Sequence, residues 1–542
     1  MLEFVERSSQ YMESKLINNS YRIFTKRRKF LNLSACLILG INIFALDEAA
    51  AWSPTEPPVS VAAFDADYGS GIEVDLAGNI YTLGSFNGTV DFDPSVNSFF
   101  IPSFSGRGLF VSKMNKEGDF LWARYIGATN ESGITLDPLG NVYIWGEFSG
   151  EVDFDPGVGE TKLVADVRGL NDFIVKLDSS GNFVWAKTVG TGFNWNGLSS
   201  VLVDSQGQIY AAGSFRNRAY LDPSGSLANS FVSAGYDDIF VLKLDVSGNF
   251  VWAKTVGGSF IDKASDLDID SFGNVYITGE FSDTVDFDPG PGTTSAATIG
   301  GIFFNTDVFV LKLDVSGNFV WVKIVGGTLG KTAIDIEIDA LDNIFVIGAF
   351  EGSVDFDPGI ETSILTSRTQ GNGFYPFSPT QSYILKLDQG GNYSWVKSFG
   401  DSVRFNGLRV DQSGNVHTAG CYYESVSNDG LIIRPDFDPG PLTYVLPYGS
   451  SCNAFISKLN NAGEFIWAKG FVSYSWISAS KPAVDMDGNV LITGQFEGKV
   501  DFDPGEGTAE LSNRNMEAYI LKLDILGRIL SIPKKTAGSS FV

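Results

Sequence analysis

A single histidine, His417, stands among 542 residues. Histidine metal clusters and Ser-His-Asp or Cys-His catalysis each need an imidazole beside a ligand or a nucleophile, so these classes drop out. What the chain offers instead is carboxylate chemistry. A Val-Asp-Phe-Asp-Pro element recurs with small variations. It sets two carboxylates two residues apart at Asp91 and Asp93, Asp153 and Asp155, Asp286 and Asp288, Asp355 and Asp357, Asp436 and Asp438, and Asp501 and Asp503. Strand alternation sends both Asp to one side and Val and Phe to the other. Such a pair can offer oxygens to Ca²⁺, which takes roughly six to eight of them, or it can accept N–H groups from the Pro-Gly turn that follows. No Asp-x-Asp-x-Asp-Gly spacing or closing bidentate Glu accompanies the pairs, and the third repeat keeps only Asp222. Both facts favour the turn role over Ca²⁺. One pair repeated in six units reads as architecture rather than catalysis.

Two other residue sets stand out. Phe374, Tyr375 and Phe377 fall in the connection after the second strand of the fifth repeat, Tyr422 and Tyr423 at the end of the second strand of the sixth, and Tyr474 and Trp476 in the crossing into the seventh. Exposed together, such rings stack on sugars or anchor a protein partner; packed over the insertions, they form a satellite core. Tyr375, Tyr422 and Trp476 are expected side by side at the surface on the first reading. Cys421 and Cys452 align with the end of the second strand and the start of the third in one repeat, so a disulfide between them is expected.

The elements that position these residues repeat seven times. The prolines closing the acidic element are Pro94, Pro156, Pro223, Pro289, Pro358, Pro439 and Pro504, at spacings of 62, 67, 66, 69, 81 and 65 residues. That period exceeds helical solenoid repeats and suits a unit of several strands. Within residues 267–327, β-branched and alternating apolar blocks are bounded by Gly, Asn and Asp, giving four strands per unit. Tight Asp-x-x-Gly-Asn turns join the first strand to the second and the third to the fourth. Seven such antiparallel meanders closed in a ring make a seven-bladed β-propeller. Strand-like segments at both ends, Val59 to Ala66 and Arg528 to Ile532, each offer an outer strand to close the ring. Trp122, Trp185, Trp252, Trp321, Trp395 and Trp467 recur in the fourth strands and are expected as buried inter-blade packing.

The VDFDPG and FVLKLDxxGNFVWAK elements resemble the SBBP-type repeats of exported bacterial proteins, seven-bladed β-propellers, from about residue 60 onward. The resemblance implies the fold and brings no catalytic motif with it.

Topology sets the tight turns on one face of the ring. The variable connections, including about Ile360 to Gln381 and about Glu424 to Arg434, lie on the other, which is the expected working surface. With 38 Lys and Arg against 64 Asp and Glu, the net charge is -26, which excludes nucleic acid as a partner. Lys26-Arg27-Arg28-Lys29, an apolar run from Phe30 to Leu46 and Ala49-Ala50-Ala51 read as export. Residues 1–51 are then a signal peptide or an uncleaved signal anchor, and 52–542 the propeller. The chain is expected outside the cell, in the periplasm or on the cell surface, touching membrane only if the anchor stays. The composite expectation is an all-β, non-catalytic module that binds or scaffolds a protein or glycan partner without a cofactor. The alternative is an enzyme, a lyase or cofactor-dependent oxidoreductase, with its site in the central channel.

Overall fold

The computed structural model describes residues 61–530 apart from 65–67, 96, 104–106, 128, 166–169, 191–194, 300–304, 368–380, 427–431 and 450–451. The expected signal or anchor segment and Phe374, Tyr375 and Phe377 lie outside the described residues. Six antiparallel meanders follow one another along the chain. Blade one, for example, orders Tyr68–Val74, Ile80–Phe86, Gly108–Met114 and Phe120–Ile126 from the inside outward, and blade four orders Lys263–Ile269, Val275–Phe281, Asp307–Leu313 and Phe319–Gly327. The seventh is built differently. Ala483–Val484 and Trp476–Ile477 pair with Val490–Asp501, which pairs with Glu510–Leu523, and that strand takes Val61–Phe64 on its free edge.

Both chain ends therefore share the closing edge. Val61 to Phe64 pair with Leu521 to Ala518, while Ile529 bridges Leu523 and the Leu530 N–H donates to Lys522 O. The expectation of one closing strand gives way to a composite one, begun by the C-terminal segment and continued by the N-terminal strand.

The core sits between blades. In blades one to six the second strand carries an aromatic ring edge-on to the fourth-strand tryptophan of its own blade, as in Tyr81 and Trp122 at 6.1 Å and Tyr276 and Trp321 at 5.8 Å between centroids. The indole N–H then donates to a turn carbonyl of the next blade: Trp122 to Ser179 O, Trp252 to Val315 O and Trp467 to Ile525 O. Trp122 and Trp467 are buried, but Trp185, Trp252, Trp321 and Trp395 are only half-buried, contrary to expectation.

The acidic element proves to be a clamp. Its first Asp accepts two backbone N–H groups, at Asp153 those of Asp155 (3.1 Å) and Thr161 (2.8 Å), and its second accepts one, Asp155 that of Gly157 (2.8 Å). The same bonds recur from Asp286 and Asp288 to Asp501 and Asp503. They fold the connection into a two-stranded ribbon, such as Thr284–Asp286 with Ser295–Ala297. The ribbon pairs with the previous blade, Gly257 with Asp286 and Gly258 with Val285. Its Phe is fully buried against the last ring of the second strand, as in Phe281 and Phe287 at 5.2 Å.

Cys421 and Cys452 are bonded, with Cα atoms 5.6 Å apart across a sequence separation of 31. Replacing Cys452 by Ser is expected to lower the unfolding free energy by roughly 4 kcal/mol on the chain-entropy estimate. Guanidinium denaturation without reductant measures the difference; coincident curves for variant and parent would show that the bond does not constrain the unfolded chain.

Candidate functional site

Of the aromatic residues singled out in the sequence, Tyr422 is a core residue and not a surface one. It is 1% exposed and takes the place that Phe86, Phe281 and Phe350 hold at the end of the second strand, edge-on to Phe437 at 5.4 Å. Its hydroxyl donates to the Pro447 carbonyl. Tyr423 is half-buried beneath Arg404, whose guanidinium carbon lies 5.5 Å from the ring. Tyr474 and Trp476, by contrast, are 83% and 39% exposed. A third ring joins them that the sequence did not single out. Tyr448 is 44% exposed, and the adjoining Gly449 packs so closely on the Ser473 carbonyl that a Cβ there would lie 2.5 Å from it. Arg434 stacks over Tyr448 at 4.6 Å. Tyr448, Tyr474 and Trp476 are thus exposed rings on adjoining segments of blades six and seven, on the face of variable connections.

His417 is fully buried and replaces the tyrosine of the second strand, with its ring 6.4 Å from Trp467 and Nε2 3.1 Å from Asp411 Oδ2. Burial pushes the imidazole below its usual pKa despite Asp411, so the ring is neutral and structural.

The second concentration of chemistry lies in the central channel, a cavity of about 600 Å³ lined by the seven inner strands. Each inner strand ends at an Asp that ties its turn, as Asp270 does with the N–H groups of Phe272 and Asn274. Two residues before that Asp stand Glu73, Asp268, Glu337 and Arg409 in four blades, but Thr135, Leu202 and Ala483 in the others. Four before it stand Asp266, Asp335 and Lys481, against Ser200 and three glycines, Gly71, Gly133 and Gly407. Five carboxylates and two cations therefore line the channel in blades one, four, five, six and seven. Sequence reading passed over them, although the repeat alignment marks them as departures from an otherwise uniform strand.

Their geometry joins five blades. Arg409 reaches Glu73 Oε1 at 2.6 Å and Glu337 Oε1 at 2.8 Å. Lys481 lies 2.8 Å from Asp335, 3.2 Å from Glu337 and 3.7 Å from Asp266. It gets there across Gly407, where a Cβ would come within 2.5 Å of its own Cβ and Cγ. Three carboxylates also accept backbone N–H groups of the next blade: Asp266 from Ile336, Asp268 from Ile338 and Asp335 from Leu408.

Two cations do not neutralise five acids, and the remainder shows in the protonation. Burial first, then the charge of Glu337, pushes the Asp268 carboxyl up to about 8. Asp335 is raised well above the carboxylate range by burial, opposed by Lys481 and reinforced by Asp266 and Glu337. Burial works against ionisation of Asp266 too, but Lys481 and hydrogen bonds from Asp335 and Ser200 outweigh it and hold its pKa low. Asp266 and Asp335 thus form a coupled pair whose carboxyls are pushed in opposite directions.

Lys481→Met is expected to expose this imbalance. Without the ammonium, the folded-state pKa of Asp335 rises further above its unfolded value near 4, and that of Asp266 loses the partner that holds it low. Protons are then released on unfolding, so the loss of stability grows as pH rises from about 5 to 8 and is small at the acid end. At pH 8 the loss is expected at about 2 to 3 kcal/mol, below the ~3 to 5 of a sealed pair because the side chain partly faces the channel. Melting curves of variant and parent from pH 5 to 8 check it; a difference that does not widen with pH would refute the electrostatic account.

No family model matches the chain. It is similar to an uncharacterized WD repeat-containing protein of Acanthamoeba polyphaga mimivirus, 23% identical over 486 residues covering 77% of this chain and 34% of that protein. It is also similar to the regulatory protein FlaEY of Caulobacter vibrioides, 25% identical over 293 residues covering 52% of this chain and 28% of that one. The chain spans about a third of the length of the curated relatives it matches. Among solved structures it is similar to a protein of unknown function from Bacteroides caccae, at TM-score 0.29 and 7% identity over 67% of this chain and 89% of that one. A DUF4221 member from Bacteroides vulgatus scores 0.30 at 7% identity over 67% and 90%. The Pan2 WD40 domain of Neurospora crassa scores 0.29 at 12% over 72% and 89%. The sheet order itself, rather than these scores, establishes the seven-bladed propeller.

Proposed function

We propose that this chain is an exported, non-catalytic propeller that holds a protein or polysaccharide partner on its face of variable connections, with Tyr448, Tyr474 and Trp476 as anchors. The observation that carries the reading is the joint exposure of these three rings on adjoining segments. Rigid amphipathic rings supply contact area at little cost in conformational entropy, and binding energy concentrates on such residues. Export is supported by the basic cluster at Lys26 to Lys29, the apolar run after it and the resemblance to SBBP-type repeats. The first 51 residues carry a net charge of +2, which leaves -28 on the remainder and disfavours nucleic acid.

A glycan array and a pull-down from cell-surface protein extracts, both with the full chain, separate the two partner classes. Tyr474→Ala and Trp476→Ala are each expected to weaken the captured interaction by ~2 kcal/mol while leaving the melting temperature nearly unchanged. Binding that both variants leave intact would remove the patch from consideration. Reproducible turnover in a substrate and cofactor panel, abolished by a change in the channel, would establish the enzyme alternative instead.

A further inference from the structure

The joint between blades four and five buries an amine, a carboxamide and a carboxylate together. Lys331, Asn305 and Asp307 are 1%, 5% and 0% exposed. Asp307 opens the third strand of blade four, opposite Phe281, and Lys331 opens the first strand of blade five, opposite Phe350. At the preceding joint the matching places hold Asp238, opposite Phe215, and Asp262, the residue before Lys263. A lysine is therefore not something that the contact between two blades needs.

The three side chains converge. Lys331 Nζ lies 2.7 Å from Asp307 Oδ1, 3.3 Å from Asn305 Oδ1 and 3.0 Å from the Gly327 carbonyl oxygen. Asn305 Nδ2 donates to that same Gly327 oxygen at 3.4 Å, so the two nitrogens meet on one acceptor. Asn305 Nδ2 also donates to the Ile299 carbonyl, and Asp307 Oδ2 accepts the Ile299 N–H at 2.8 Å, which fixes carboxamide and carboxylate against one residue. A buried ion pair seldom stabilises more than apolar groups of the same size would. This one has an electrophilic carbon one bond from the oxygen that the amine touches. Reacting groups held about 3 to 3.5 Å apart and away from water behave as if at very high concentration. Burial also pushes the Lys331 ammonium below its ordinary pKa, with Asp307 opposing, and so moves it toward the nucleophilic amine.

We propose that Lys331 and Asn305 join in an intramolecular isopeptide bond, with Asp307 as the proton carrier. Nζ bonds to Asn305 Cγ, and the Cγ–Nδ2 bond breaks. Of the three protons on the lysine ammonium, two pass by way of Asp307 to Nδ2, which departs as an ammonium ion, and one stays on the new amide. Asp307 ends as the carboxylate it began as, and nothing is oxidised or reduced. The product ties blade four to the first strand of blade five, a covalent link across 26 residues of chain. It is independent of the exposed rings of blades six and seven and of the partner they hold.

Tryptic peptide mapping of the full chain by mass spectrometry tests the assignment. In the parent, the bond after Lys331 is expected to resist trypsin. The peptides carrying Asn305 and Lys331 are expected as one branched species, lighter than their sum by one ammonia, with fragmentation placing the branch at these two residues. Lys331→Met and Asn305→Ala are each expected to abolish the branched species, and Asp307→Ala to reduce its fraction by about tenfold or more. Complete cleavage after Lys331 in the parent, with both peptides linear and at full mass, would show an ion pair only and overturn the proposal. A branched species that survives in Asn305→Ala would overturn it as well. Should Asp307→Ala fail to fold by its melting curve, the maps of the parent and of Asn305→Ala still decide.

Discussion

A blade of this ring has two apolar faces and can bury neither of them alone. Every blade therefore depends on contact with its neighbours, and the repeated joint of ring, indole and turn carbonyl makes that contact directional. Tyr81, Trp122 and the Ser179 carbonyl, or His417, Trp467 and the Ile525 carbonyl, set how far each blade is turned from the last. His417 shows how strongly the position is specified. The only imidazole in the chain is held there neutral, with Asp411 accepting as the corresponding Asp270 does from Tyr276. Six such joints close a ring of seven only if the last blade finds an edge for the first, and the two chain ends supply it jointly on Glu510–Leu523.

The acidic character of the chain has its main origin in the same requirement. Tight turns and ribbons leave backbone N–H groups pointing outward with no strand to receive them, and a carboxylate oxygen is the strongest acceptor for them. Asp75, Asp137, Asp270 and Asp339 take turn N–H groups at one end of the blades, and Asp153, Asp286, Asp355 and Asp436 take ribbon N–H groups at the other. Third-strand lysines meet some of the turn carboxylates, as Lys312 meets Asp270 at 3.0 Å and Lys522 meets Asp485 at 2.8 Å. Carboxylates committed in this way have little left to offer a cation.

The fold was legible because repetition averages out local ambiguity. A single unit of apolar blocks and glycine turns would be weak testimony, but seven in register leave one architecture. The Cys421 and Cys452 pairing was legible for the same reason, since alignment with other blades placed both residues at one end of one sheet. Tyr422 was misjudged for want of that comparison, because Phe86, Phe281 and Phe350 at the same place mark it as core. Tyr448 escaped notice because its exposure depends on where an insertion folds back, and periodicity carries no information about that.

The channel inverts this logic. Where repetition reveals the scaffold, a departure from repetition at a structurally uniform position reveals something the scaffold does not need. Gly71, Gly133 and Gly407 show that the inner strand closes without a side chain at the position where blades four, five and seven put Asp266, Asp335 and Lys481. Thr135, Leu202 and Ala483 show the same for Glu73, Asp268, Glu337 and Arg409. Charges concentrated in a wall that glycine and alanine could build are hard to derive from packing, since burying ion pairs is seldom more stabilising than burying apolar groups of the same size. They are also not scattered. Six of the seven are joined through Arg409 and Lys481 and the seventh, Asp268, lies under the charge of Glu337, so five adjoining blades share one network to which blades two and three add no charge.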